Sequence, residues 1–168
     1  MVEYVYFAPE SVFREKAEKV FAKHRKLILK RLPQSEVHYI GSTAVKGSLT
    51  KGDVDLQVRI DQQDFPEAKK VLQEIYAINE GSYQTSFFCA FETEDQLPIG
   101  VQLTVNGSEV DHFWKTTRFL QENPSCNEAY NQLKRQFNGK DMENYRDAKA
   151  EFLAEVLASE AYQNFLLR

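Results

Sequence analysis

The chain has 168 residues, with 21 Lys and Arg against 25 Asp and Glu and a formal net charge of −4. That balance argues against a nucleic-acid partner, because binding to a phosphate backbone draws on a basic surface. With 42% hydrophobic and 27% charged residues the chain is neither disordered nor fibrous, and its length suits a single domain over residues 1–168. No apolar run approaches the ~20 residues that span a bilayer. Met1 to Phe7 lack the basic and then apolar pattern of a secretory signal. The expected location is cytoplasmic, with no membrane partner, and Cys89 and Cys126 read as structural thiols.

In chain order, Pro9-Glu10-Ser11 opens a helical pattern. Phe13, Ala17, Val20, Phe21, His24, Leu27 and Ile28 then recur at helical spacing up to Pro33. Val37 to Ile40 is a short strand. Val54 to Ile60 is a stronger one, because Val54, Leu56, Val58 and Ile60 alternate with Asp53, Asp55, Gln57 and Arg59. A helix follows from Pro66 to about Tyr76. Strands near Thr85–Phe91 and Ile99–Val105 flank a polar separator, Glu92 to Pro98, that suits a hairpin loop. Helices cover about Val110–Glu122 and a segment from Ser125 to the stop at Asn138-Gly139. The last helix aligns Tyr145, Ala148, Lys149, Phe152, Val156 and Leu157 on one stripe. These elements predict an α+β fold: a mixed β-sheet of about four strands with flanking helices over 1–108, and a helical C-terminal third over 109–168.

Chemistry concentrates between Tyr39 and Val58. An apolar strand runs into Gly41-Ser42, and ten residues separate Ser42 from the Asp53-Val54-Asp55 triplet. Strand alternation puts Asp53 and Asp55 on one face. Two carboxylates that close repel unless a cation or a proton lies between them. Hard oxygen ligands of this kind suit Mg²⁺, which favours one or two carboxylates plus water and substrate phosphates. A Gly-Ser turn offers backbone N–H groups and a hydroxyl to phosphate oxygens. The bland alternative is a solvated strand face beside an ordinary turn.

This spacing resembles the nucleotidyltransferase signature, and a longer resemblance is to the GrpB family, a bacterial family with that fold. It rests on Pro9-Glu10, Gly41-Ser42-Thr43-Ala44-Val45 with Gly47, Lys51 and Val54-Asp55-Leu56. In the last third it rests on Leu120, Asn123-Pro124, Tyr130, Leu133-Lys134-Arg135 and Tyr145-Arg146-Asp147-Ala148-Lys149-Ala150 with Phe152 and Glu155-Val156-Leu157. Where the family commonly has Val-Pro-Gly-Leu and Ala-Lys-Pro, this chain has Val45-Lys46-Gly47-Ser48 and Thr50-Lys51-Gly52. The missing prolines predict a more mobile loop. Active nucleotidyltransferases usually add a third carboxylate from a neighbouring strand. Gln102 is the positional candidate here, and Glu92 substitutes only if the hairpin register brings it to the same face.

The resemblance implies a Mg²⁺-dependent nucleotidyltransferase that joins a nucleoside triphosphate to an unidentified acceptor, a small molecule or a protein. Asp53 and Asp55 would hold the metal, Gly41 and Ser42 would cradle phosphates, and Lys51 would offset charge on the leaving pyrophosphate. Lys149, on an otherwise apolar stripe, needs a partner or must snorkel, and an ion pair with Asp53 or Asp55 is expected. Lys134, Arg135 and Lys46 read as solvated. Two alternatives stay open: a catalytically inactive nucleotide- or phosphate-binding module, and a partner-regulating protein with a vestigial cleft.

Overall fold

A computed structural model describes residues 1–168. The strands are β1 (Tyr4–Val5), β2 (Ala8–Pro9), β3 (Glu36–Ile40), β4 (Leu49–Thr50), β5 (Val54–Ile60), β6 (Ala77–Ile78), β7 (Phe88–Glu94), β8 (Pro98–Val105) and β9 (Lys140–Asp141). The helices are α1 (Arg14–Arg31), α2 (Phe65–Gln73), α3 (Phe113–Glu122), α4 (Pro124–Phe137), α5 (Met142–Ala158) and α6 (Glu160–Leu166). The main sheet has five strands in the order β3-β5-β8-β7-β6. β5 and β8 run parallel and the other pairs antiparallel, so the sheet is mixed, as expected, with one strand more than the sequence suggested. The extra strand is the two-residue β6 at the edge, too short to leave an alternating pattern.

Alternation along β5 divides the molecule into two faces. Val54, Leu56, Val58 and Ile60 are all buried in the main core. Ala17, Val20 and Ile28 of α1 and Phe65, Ala68, Val71 and Leu72 of α2 belong to the same core. Fully burying an aliphatic side chain of this size contributes ~1.5–3 kcal/mol, so this face supplies most of the driving force. The helix α2 stops at Gln73 rather than Tyr76, although Tyr76 itself remains buried and its N–H still bonds the Leu72 carbonyl.

The polar face of β5 is covered rather than solvated. Gln57 is wholly buried. Its Nε2 donates to Thr104 Oγ1 (2.9 Å) and Asp111 Oδ1 (3.1 Å), and its Oε1 accepts from the Trp114 N–H (2.9 Å). Arg59 grips Asp111 with two bonds of 2.7 Å. A buried polar group without a partner is costly, so this satisfied lattice fixes where α3 lies over the sheet. Asp53 and Asp55 sit at the end of the same row, beyond the last lattice bond.

Two further ladders join distant segments. β1 pairs with β9, and β2 pairs with β4. Just after β2, Glu10 is only 2% exposed; it pairs with Arg14 and accepts the Gly47 N–H at 3.2 Å. These contacts tie the start of the chain to the 41–50 loop and to the start of α5. Other boundaries shift slightly from expectation. β7 begins at Phe88 and continues through Glu94, because Glu92, Thr93 and Glu94 pair with Gly100, Ile99 and Pro98 and shorten the hairpin turn. The final helical stretch breaks at Ser159, which caps α6 by accepting the Tyr162 N–H.

Candidate active site

The loop between β3 and β4 begins with Gly41 at φ +83°, a backbone conformation that L side chains rarely adopt. Space is the second reason for glycine. A Cβ at position 41 would lie 2.8 Å from Asp55 Oδ2. The Gly41 N–H donates to Thr117 Oγ1 (3.1 Å), and Ser42–Ala44 then form one 3₁₀ turn. Thr43 Oγ1 donates to the Asp53 carbonyl at 2.6 Å. Gly41, Ser42, Asp53 and Asp55 therefore converge, as the ten-residue spacing suggested, and all four line one cavity of about 500 Å³ between the sheet and the C-terminal helices.

Asp55 has a particular environment. Its Oδ2 leans against Gly41 and its Oδ1 against Gly100, where a Cβ would come within 2.5 Å. Burial, and then the charge of Asp53, push its carboxyl up to about 7; Lys149 and Lys51 pull in the opposite direction. Asp53 meets Lys51 at 3.6 Å. The cross-strand partner of Asp55 on β8 is Gly100, whereas Gln102 stands opposite Gln57. The position next to Asp55 thus has no side chain, and the Asp55 carboxylate occupies the space one would need. Glu92 pairs with Gly100 and so falls in register on the same face. It lies two strand spacings (~10 Å) from β5, is exposed, and does not line the cavity. No group of three His, Cys, Asp or Glu able to hold a metal forms.

Lys134 overturns the expectation of a solvated helix face: it is 1% exposed. Its Nζ donates to Ser42 Oγ and to the Leu49 carbonyl, both at 2.7 Å, and lies 3.8 Å from the centre of the Tyr130 ring. Burial, with Lys149 as the next cause, pulls its ammonium down to about 7. Arg135, the other residue of that pair, pairs with Glu128 on the exposed side. Two more α4 side chains grip the loop. Asn131 accepts the Leu49 N–H and donates to the Gly47 carbonyl, both at 2.9 Å, and Asn127 accepts from Ser48 Oγ at 3.0 Å. The loop is pinned by these bonds rather than freed by its lack of proline. The overlooked signal was a polar stripe, since Asn127, Tyr130, Asn131 and Lys134 recur with the period of a buried face.

Lys149 lines the cavity, and its charge acts on Asp55, Lys134 and Tyr145. It forms no ion pair with either aspartate within 4.0 Å, however, because the only such partner of Asp53 is Lys51. Three lysines (51, 134 and 149) thus face two carboxylates across one cavity. Lys46 is exposed at the loop surface, as expected.

The GrpB protein family model matches residues 12–159. A UPF0157 protein of Vibrio cholerae is 29% identical over 147 residues, covering 86% of this chain and 78% of that protein. One from Deinococcus radiodurans is 28% identical over 140 residues, covering 82% and 73%. Among solved structures, the GrpB protein of Enterococcus faecalis superposes with a TM-score of 0.61 at 20% identity, over 99% of this chain and 97% of that one. A structure of Cid1, described with RNA terminal uridylyl transferase activity, superposes with a TM-score of 0.54 at 16% identity, over 76% of this chain but 40% of Cid1. The second likeness concerns the fold alone, which this chain shares with that part of Cid1. The match over most of the sequence, together with the Gly41-Ser42 turn facing Asp53 and Asp55, makes this chain a member of the GrpB family.

Proposed function

We propose that this protein binds a nucleoside triphosphate with Mg²⁺ and transfers the nucleotidyl group to an acceptor hydroxyl. One observation carries the reading: the half-buried Asp55 carboxylate, wedged between Gly41 and Gly100, faces the cavity beside Asp53. Two adjacent carboxylates, both half-buried at one cavity wall, call for a cation, and the oxygen donor set fits Mg²⁺ better than a softer metal. When bound there by Asp53 and Asp55, the ion would supply charge neutralisation for the triphosphate.

The chain's own groups divide the remaining work. The 3₁₀ turn at Ser42 presents backbone N–H groups and a hydroxyl to terminal phosphate oxygens. Lys134 fixes the Ser42 hydroxyl from behind. Lys51 and Lys149 add positive charge at the cavity wall, where leaving pyrophosphate accumulates negative charge. In the transfer, the acceptor O–P bond forms as the bridging α–β P–O bond breaks. Pyrophosphate leaves, and the acceptor proton passes to water, since Gly100 puts no base beside Asp55.

That same glycine favours a second reading, nucleotide binding without transfer. Calorimetry with a non-hydrolysable ATP analogue and Mg²⁺, followed by a labelled-nucleotide transfer assay in cell extract, separates the two. Binding should weaken about tenfold or more in Asp53→Asn and in Asp55→Asn, equivalent to ~1.4 kcal/mol or more. Unchanged affinity in both variants refutes the site, and tight binding without label transfer selects the second reading.

A further inference from the structure

The strand order gives the cavity a direction. Gly41 and Ser42 leave β3 on one side, Asp53 and Asp55 belong to β5, Gln102 stands on β8, and Asn79 follows β6 at the far edge. With strands ~4.8 Å apart, the span from β3 to β6 is ~19 Å. Charge changes sharply along it. The cavity's lysines belong to the β3–β5 side: Lys134 bonds Ser42, Lys51 meets Asp53, and the charge of Lys149 acts on Asp55 and Lys134. Beyond Asp55 the lining carries no Lys, Arg, Asp or Glu.

What stands there instead is a set of neutral polar groups around an aromatic ring. Gln102 Nε2 lies 3.6 Å from the point where a Gly100 Cβ would be, the same point that Asp55 Oδ1 approaches. The amide therefore begins where the carboxylate ends. His112 and Phe113 enter the cavity from the start of α3, held over the sheet through the neighbouring Trp114 N–H bond to Gln57. His112 Nδ1 is buried and has no hydrogen-bond partner, and burial lowers the imidazole's affinity for a proton, so the ring is neutral at pH 7. Asn79 adds a second amide.

In-line displacement sets the attacking and leaving oxygens on opposite sides of phosphorus. With the triphosphate tail on the lysine side, the attacking hydroxyl enters from the β8–β6 side. Resting on the transfer reading above, we infer that this uncharged end receives the acceptor, and that the acceptor is a neutral sugar, free or as the ribose of a nucleoside. Amides and a neutral imidazole match ring hydroxyls, and Phe113 offers a flat apolar wall for the ring face. An anionic strand would meet no cation in the lining beyond Asp55, and the carboxylate that shares this face, Glu92, lies outside the lining, so a polyamine would meet none within the cavity.

Saturation-transfer NMR on the full chain, with Mg²⁺ and a non-hydrolysable ATP analogue filling the nucleotide site, tests this. The probes are methyl glucoside, adenosine, a uridine trinucleotide and an amino sugar bearing several ammonium groups. Signal is expected from methyl glucoside, adenosine or both, and the pattern tells a free sugar from a nucleoside. Loss of one neutral hydrogen bond is ~1.4 kcal/mol, so Gln102→Leu and Asn79→Ala should each weaken that binding about tenfold. Affinity for the ATP analogue should be unchanged in Asn79→Ala, whose side chain follows the edge strand and bonds only the nearby Gly81 N–H, so that an unchanged thermal unfolding profile separates lost sugar binding from misfolding. Signal from the trinucleotide or the amino sugar alone overturns the assignment, as does neutral-sugar binding that neither substitution weakens. If the parent binds the ATP analogue but no sugar, only the acceptor assignment falls. If calorimetry shows no binding of the analogue, the transfer reading falls and the acceptor assignment with it.

Discussion

Replacing Lys134 with Met removes a buried ammonium while keeping an unbranched side chain of similar reach, and the consequence depends on pH. In the folded protein burial lowers the lysine from its ordinary 10.5 to about 7. Between those values the unfolded chain holds a proton that the folded chain releases, so parent stability rises with pH by up to ~1.4 kcal/mol per unit. Below pH 7 both states are protonated and the full penalty applies, on the order of 5 kcal/mol. The ammonium's bonds to Ser42 Oγ and the Leu49 carbonyl work against this; leaving a buried carbonyl unpaired costs ~1–3 kcal/mol. The penalty wins at low pH and the lost bond wins at high pH. Lys134→Met should therefore match or exceed the parent in stability at pH 6 and fall below it near pH 9.5, by urea denaturation at each pH. Parallel stability profiles for the two proteins would refute the buried, proton-poor lysine. Nucleotide affinity is a separate readout and should drop in the variant at both pH values, because the Ser42 hydroxyl loses its anchor.

Gly41→Ala and Gly47→Ala form a matched pair, since both glycines have φ +83° but only position 41 has Asp55 within reach of a new Cβ. Both should lose ~1–3 kcal/mol of stability from backbone strain, and only Gly41→Ala should also lose Mg²⁺-dependent nucleotide binding; equal binding in the pair argues against the close approach. On the opposite face of the sheet, Asp95 accepts bonds from Lys23 and His24, which hold its carboxyl well below the usual carboxylate range. A depressed carboxylate stabilises the fold above its unfolded pKa near 4 and loses that contribution as pH falls further. Asp95→Asn should accordingly flatten the acid side of the stability profile below pH 4, measured by thermal unfolding; an unaltered acid limb rejects the pairing.

The sequence carried the fold best where periodicity is strong and local. The alternation from Val54 to Ile60 matches β5 residue for residue, and the turn at Gly41-Ser42 meets the aspartates as their spacing required. It carried less wherever a side chain's environment depends on a segment far along the chain. Lys134 resembled a solvated lysine because its two acceptors, Ser42 and Leu49, lie 92 and 85 residues away. Local pattern alone makes Gln102 the neighbour of Asp55, yet Gly100 stands there, because a parallel pairing separated by a helix and two strands takes its register from the whole sheet. Lys149 was placed in the right cavity by its position on an apolar stripe, but an ion pair depends on side-chain geometry that spacing cannot specify. The two-residue ladders β1–β9 and β2–β4 leave no trace in the sequence for a related reason: each is too short to show alternation.

Those small ladders bear on how the molecule comes to life. β1 cannot pair until β9 exists some 135 residues later, and Lys134 and Lys149 belong to the same late stretch. During synthesis the acidic half of the cavity emerges well before its cationic half. A nascent chain thus carries Asp53 and Asp55 with Lys51 as the only cavity lysine yet made. Completion of the cavity and pairing of β1 with β9 therefore both wait on the last third of the chain.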